Sequence, residues 1–316
     1  MKIVCAANMP YAREAFSTLG CPVVLDGRAI AANDVRDAEV LAIRSTTRAD
    51  RALLDGSAVR FVGTATIGTD HMDISYFERA GIRWCYSPGC NANSVAEYVA
   101  AALLSLADRH GFGLRGKTMG VIGVGNVGSL VAEKARTLGL RVLPNDPPRA
   151  AREGTALPWV SLDRVLAESD IVTLHVPLSR EGPDATFHMA GREFFHRLKP
   201  GAVFLNCARG AVVETDALIE ALVGGIVSHA VIDTWEGEPE YRTELLDRVD
   251  IGTPHIAGHS FEGKVMGTVM VYREVCRFLG LEPTWSPEAL LPPPPRSQGS
   301  RPRRREGPKR AFCGTW

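Results

Sequence analysis

Arg209, Glu238 and His255 each follow a short apolar run. They lie in Phe204-Leu205-Asn206-Cys207-Ala208-Arg209-Gly210, Val231-Ile232-Asp233-Thr234-Trp235-Glu236-Gly237-Glu238-Pro239 and Gly252-Thr253-Pro254-His255-Ile256-Ala257-Gly258. Together these residue types suit the removal of hydride from the hydroxyl-bearing carbon of a 2-hydroxy acid. A guanidinium grips the carboxylate through its planar fork. An imidazole, which titrates near neutrality, takes the hydroxyl proton as hydride departs. A carboxylate beside that ring orients it and supports its protonated form. Asp233 is assigned to the cofactor, at its carboxamide. Taken singly, each residue has an ordinary explanation as a surface charge, a turn or a satisfied loop side chain. Their joint occurrence calls for a hydride acceptor.

Gly123-Val124-Gly125-Asn126-Val127-Gly128 supplies the place for one. With 31 glycines in 316 residues, roughly 0.3 G-x-G-x-x-G matches arise by chance, so the string alone is weak. Its context is specific. It follows the apolar run Met119-Gly120-Val121-Ile122 and opens an amphipathic stretch, Val127 to Leu138. A second apolar run then ends at Asn145-Asp146, 18 residues past Gly128. The first glycine makes the turn, the second admits a pyrophosphate to the backbone and the third lets helix approach strand. Asp146 accepts hydrogen bonds from both ribose hydroxyls and repels a 2′-phosphate, which predicts NAD over NADP.

Elements must position these groups. Strands are expected at Val40 to Ile43, Arg60 to Gly63, Thr118 to Val124, Arg141 to Leu143, Ile171 to Val176, Ala202 to Cys207 and His229 to Ile232. Helical patterns lie between them, as at Leu162 to Glu168 and Thr215 to Val223. Alternation of this kind means βαβ units and parallel sheets. Ser94-Val95-Ala96-Glu97 reads as a capping box opening a long buried helix closed by Gly111. The fold class is therefore α/β, with a Rossmann-type doubly wound coenzyme domain and a smaller flavodoxin-like substrate domain. The expected division gives 1–93 and 257–290 to substrate, 94–256 to NAD, and 291–316 to a disordered tail. Pro292 to Pro295 and Arg301-Pro302-Arg303-Arg304-Arg305 lack the apolar content to order that tail. A cleft between the domains would close over substrate and exclude water.

Composition narrows the class further. Net charge is zero, but the stretch from Arg296 onward carries +6 and the remainder −6, so no nucleic acid is expected on the main surface. Seven scattered cysteines form no C-x-x-C pair, which suits reduced thiols in the cytoplasm. No apolar stretch reaches membrane-spanning length, and the first residues read as a strand, not a signal peptide. Thr64-Ala65-Thr66-Ile67-Gly68-Thr69 is a small-residue loop whose amides could cradle an anion. Asp70-His71-Met72-Asp73 reads as a helix start in preference to a metal site. No metal is expected.

The stretches Gly123 to Gly128, Asn206 to Gly210, Asp233 to Pro239 and Pro254-His255 resemble, in this order, the D-isomer-specific 2-hydroxyacid dehydrogenase family. More narrowly, six stretches look like a branch of it acting on a small phosphorylated hydroxy acid in pyridoxal phosphate biosynthesis. They are Asn8 to Arg13, Arg44-Ser45-Thr46-Thr47, Gly63 to Asp70, Pro88-Gly89-Cys90-Asn91-Ala92, Asp146 to Ala150 and His255 to Gly258. The resemblance implies Arg209, Glu238 and His255 as catalytic residues. It implies NAD contacts at Gly123, Gly125, Asn126, Val127, Gly128, Asp146, Val176, Cys207, Ala208, Asp233 and Gly258, and substrate contacts at Ser45, Thr66 and His259. The branch usually has Tyr where this chain has His259, and it continues into a C-terminal dimerisation domain. Here the pattern stops after the prolines, so a truncated or frame-shifted end is expected and a homodimer is less secure. The competing expectations are a 3-phosphoglycerate or glyoxylate/hydroxypyruvate enzyme, or a non-catalytic NADH-sensing module.

Overall fold

The structure, a computed structural model, describes residues 1–154 and 158–291. Five short strands build the first sheet: β1 (Lys2–Ala6), β2 (Cys21–Leu25), β3 (Val40–Ile43), β4 (Phe61–Thr64) and β5 (Arg83–Cys85). They lie side by side in the order β2-β1-β3-β4-β5, all parallel. The second sheet comprises β6 (Thr118–Ile122), β7 (Arg141–Asn145), β8 (Ile171–Leu174), β9 (Ala202–Asn206), β10 (Val227–Ile232) and β11 (Ile251–Gly252). Their order is β11-β10-β9-β8-β6-β7, again parallel throughout. Both sheets are doubly wound, and the first has the flavodoxin order. The expected α/β class is the one adopted.

Both faces of each sheet are covered, which explains the unbroken apolar runs. Along β9, Phe204 faces one core layer with Phe194 and Phe195, while Val203 and Leu205 face the other with Met119 and Val121. Val4, Leu41 and Val62 sit on one side of the first sheet, and Ile3, Val40 and Phe61 on the other. Phe204 is fully buried, so Phe204→Ala would cost about 3–5 kcal/mol. The chain crosses from first sheet to second through the helix Ala92–His110. It returns through the helix Phe261–Leu279, whose Val271, Tyr272, Val275 and Cys276 join the core of the first sheet. There Gly267 rides so close to β4's end that a Cβ would sit 2.8 Å from the Ala65 carbonyl oxygen.

Several boundaries differ from expectation, each for a local reason. β6 stops at Ile122 because Gly123 turns the chain with φ +84°. β7 runs on through Pro144, tolerable in an edge strand, and the Pro144 carbonyl accepts from the Val160 amide (3.0 Å). The capping box at Ser94 does not form. The helix begins at Ala92 after the turn at Gly89 (φ +80°), and the Ser94 hydroxyl instead pairs with that of Ser260 at 2.5 Å. Gly111 closes that helix in the left-handed conformation, as expected. Beyond Leu291, the expected Pro/Arg-rich tail lies outside the described residues.

Candidate active site

The register of the second sheet aligns three loops. Asn206 lies beside Ile232, and Ile232 beside Gly252. The loops that follow, carrying Arg209, Asp233 to Glu238, and His255, therefore leave the same edge of the sheet at its carboxyl end. β6 sits between β7 and β8, where the winding direction reverses and a crevice opens. The glycine turn follows β6 there.

Each glycine of the motif has its own reason. A Cβ on Gly123 would lie 2.7 Å from the His175 carbonyl oxygen and 2.8 Å from the Val176 amide, so Val176 frames the turn through its backbone. A Cβ on Gly128 would lie 1.9 Å from the Gly123 carbonyl oxygen. Gly125 faces open space, with nothing within 4 Å of an added Cβ, and this opening at the start of the helix Asn126–Thr137 suits a pyrophosphate. Asn126 lies against Gly89, which belongs to the Pro88-Gly89-Cys90 loop, and Val127 packs into the core. Asp146 accepts from the Val124 amide (2.9 Å) and from the Arg149 amide (2.9 Å), capping the helix Pro147–Glu153. Its carboxylate thus braces the glycine turn while remaining beside it. These features fit a dinucleotide.

His255 Nδ1 lies 2.6 Å from Glu238 Oε1. The hydrogen bond to Glu238 raises the imidazole above its ordinary 6.5; burial opposes this, the Glu238 and Asp233 charges reinforce it, and Arg209 subtracts from it. For Glu238, burial pushes upward, but the His255 bond and charge, the Trp235 amide (3.2 Å) and Arg209 hold the carboxyl below its usual value. Each of the three catalytic candidates acts electrostatically on the others. Arg209 Nη1 donates to the Ala208 carbonyl (2.9 Å), and Nη2 reaches toward the first sheet's small-residue loop, 4.0 Å from Asp70. A Cβ on Gly68 of that loop would sit 2.7 Å from Arg209 Nη2.

His255 itself has φ +55°, an uncommon conformation for a residue with a side chain. What holds it there was not legible in the sequence. Asp233 is buried, and its carboxylate accepts from Thr253 Oγ1 (2.5 Å), the Ile256 amide (2.8 Å) and the Ala257 amide (2.9 Å). Its carbonyl also accepts from the His255 amide (2.7 Å). Tyr98, on the long helix, pairs with Thr253 Oγ1 (2.6 Å), and the Trp235 indole donates to the Thr253 carbonyl (2.8 Å). Asp233 is thus tied to the His255 loop, a task the expectation of a cofactor contact did not include. Tyr98 and Thr253 carried no sequence signal, being 155 residues apart.

Other candidates surround this centre. Cys207 is partly buried, and its low-polarity surroundings raise its thiol well above the ordinary value. The Ala208 amide donates to Asn206 Oδ1 (3.1 Å), fixing the turn before Arg209. Gly258 packs so closely on Asn91 that a Cβ would lie 2.1 Å from Nδ2. Thr66 shares hydroxyl hydrogen bonds with Thr64 (2.8 Å) and the Gly68 carbonyl (2.8 Å) within its loop, and Ser45 is exposed after β3. His259 is lowered, first by burial and then by Lys264, Arg44 and His255, so it shares their electrostatic neighbourhood. Arg44 was not singled out in the sequence. It donates to the Ala65 carbonyl (2.7 Å), and among the described residues no carboxylate pairs with it. The Asp70-His71 stretch is a helix start: Asp73 caps Ile74–Ala80 through the Tyr76 amide, and His71 bonds Thr64 Oγ1 at 2.9 Å.

A parallel sheet with a glycine turn at its crevice, opposed by an Arg and a His–Glu pair, defines a dehydrogenase of hydroxy acids. Residues 92–257 match the D-isomer specific 2-hydroxyacid dehydrogenase NAD binding domain, and the chain belongs to that family. It is 47% identical to the erythronate-4-phosphate dehydrogenase of Bacteroides fragilis over 94% of this chain and 85% of that one. The same identity to the Salmonella typhimurium erythronate-4-phosphate dehydrogenase spans 93% of this chain and 78% of the other. Among solved structures, D-lactate dehydrogenase from Aquifex aeolicus, complexed with NAD and lactic acid, superposes with TM-score 0.72 at 27% identity, covering 89% and 96% of the chains. No helix among the described residues is long and apolar enough to cross a membrane.

Proposed function

We propose that the protein oxidises 4-phospho-D-erythronate to 2-oxo-3-hydroxy-4-phosphobutanoate with NAD, a step toward pyridoxal phosphate, in the cytoplasm. The observation that carries this reading is the His255–Glu238 pair at 2.6 Å, sharing one electrostatic centre with Arg209 at the cofactor crevice. Arg209 holds the substrate carboxylate by charge-assisted hydrogen bonds. His255 Nε2, free of the Glu238 bond, takes the proton from the 2-hydroxyl, and Glu238 keeps the ring oriented while it carries that charge. Bound NAD supplies the hydride acceptor. Asp146 favours the unphosphorylated ribose.

The reading divides the chain as the sequence suggests, with 1–93 and 257–290 receiving substrate and 94–256 receiving NAD. Ser45, Thr66 and His259 then face the substrate from the first sheet. The 4-phosphate calls for a second cation, and Arg44, partly buried and without a carboxylate partner among the described residues, is the group we assign to it. The test is NADH formation by the purified chain with 4-phospho-D-erythronate, 3-phosphoglycerate and unphosphorylated erythronate, compared as kcat/KM. Preference for the first is expected, with Arg44→Ala narrowing its margin over the unphosphorylated acid. Equal or better turnover of 3-phosphoglycerate would overturn the substrate assignment.

A further inference from the structure

A second constellation of titratable groups lies at the opposite end of the second sheet, remote in the fold from Arg209 and His255. His110 ends the helix Ala92–His110, His229 lies near the start of β10, and Asp250 immediately precedes β11. His110 Nε2 is 2.7 Å from Asp250 Oδ1, and His229 Nδ1 is 3.2 Å from the same oxygen. One ligand atom from each residue lies within 4.8 Å of the others. The two imidazole rings lie with centroids 3.8 Å apart, tilted by 32°, and Phe112 stacks on His229 at 5.9 Å. Asp250 is held in place by the Ala230 amide, which donates to Oδ2 (3.1 Å), and by Arg109, which donates to its carbonyl (2.9 Å).

We propose that His110, His229 and Asp250 form a binding site for one divalent transition-metal ion of the zinc type. Donors about 2.1 Å from a tetrahedral ion lie about 3.4 Å from one another. His229 Nδ1 already stands 3.2 Å from Asp250 Oδ1, and His110 Nε2, in hydrogen-bond contact with that oxygen at 2.7 Å, draws back to admit the ion. Two imidazole nitrogens and one carboxylate oxygen suit zinc, cobalt or nickel over magnesium and calcium, which prefer oxygen. The fourth position goes to water. His110 is the last residue of its helix and precedes the left-handed Gly111, so its ring adjusts without disturbing the sheet. Such an ion ties the end of the domain-crossing helix to the β10–β11 edge. Its effect is on stability and not on hydride transfer.

The test uses the full chain stripped with a chelator, then titrated with Zn(II) in competition with a chromophoric chelator, and with Co(II) followed by absorption. Wild type should bind one equivalent, with a Co(II) spectrum free of thiolate charge transfer, and its Tm should rise on adding Zn(II). His110→Ala and His229→Ala should each weaken binding at least tenfold, roughly the least that loss of even an outer partner costs, and abolish the Tm rise. Dehydrogenase activity of the stripped variants should match that of stripped wild type. His110→Ala, at an exposed helix end, provides the comparison even where His229→Ala folds poorly. Binding unchanged in His110→Ala, no binding by wild type, or a thiolate band with Co(II) would each overturn the proposal.

Discussion

The two sheets share one winding scheme and differ in what their turns present. In each, a central strand is flanked by the next two in sequence: β1 by β2 and β3, β6 by β7 and β8. In the first sheet the turn after β1 is Ala7-Asn8-Met9-Pro10, which opens on a shallow cavity of about 380 Å³ lined by residues including Asp26, Arg28 and Thr46. In the second it is Gly123-Val124-Gly125, and these glycines together with Gly128 clear a path to a helix N-terminus. The same architecture therefore gives a nucleotide site only where backbone can approach phosphate. In the proposed reading, the first sheet contributes small hydroxyl residues and Arg44 to the crevice, and the second contributes the groups that move a proton.

The largest expected effect sharpens that division. His255→Asn should reduce kcat by about 10²–10⁴-fold, as loss of a general base does, while NADH affinity by fluorescence titration stays close to wild type. Full activity would move the chemistry away from the second sheet. Next come the glycines. Gly128→Ala forces a methyl against the Gly123 carbonyl oxygen and should lower the unfolding free energy by about 1–3 kcal/mol in denaturant titrations. Gly125→Ala meets open space, so it should weaken NAD binding with little loss of stability. Unaltered NAD binding in both would place the nucleotide elsewhere and break the comparison.

A smaller effect is expected from Asp146→Ala, which should weaken NAD and narrow the NAD/NADP ratio of kcat/KM by about tenfold. The smallest is a displacement in pH. His255 must be neutral to accept a proton, and Glu238 raises its pKa above 6.5, so the acid limb for oxidation lies above that value. Glu238→Gln should move this limb to lower pH. For stability the signs differ by partner. The raised His255 contributes stability that is lost as pH rises through its folded pKa, and the lowered Glu238 contributes stability lost as pH falls through its own. The variant should therefore trail wild type most between those two limits, a difference that thermal unfolding across pH measures.

Local patterns were legible because they depend on neighbours in the chain. Buried parallel strands need continuous apolar runs, so Val40–Ile43, Ile171–Leu174 and Ala202–Asn206 stood out. β2 and β5 did not, since they lie at the sheet edge and are only partly buried. Ser94 mimicked a cap because its spacing from Glu97 fits one, but its hydroxyl found Ser260, 166 residues away. No local rule anticipates that partner. The roles of Tyr98 and Thr253 in holding the His255 loop, and Arg44's nearness to His259, were hidden for the same reason.

The sequence by itself determined the α/β class and the glycine turn with its acidic partner at Asp146, and it singled out Arg209, Glu238 and His255 as the candidate set. Each is written in residue type and short spacing, where sterics and hydrogen-bonding capacity act directly. Only the tertiary structure decided that Asp233 clasps the His255 loop and that Arg209 faces Gly68 of the other sheet, and it gave the expected Glu238–His255 pair its 2.6 Å contact. Strand register and the packing of the Ala92–His110 helix set those contacts, and both depend on groups distant in the chain.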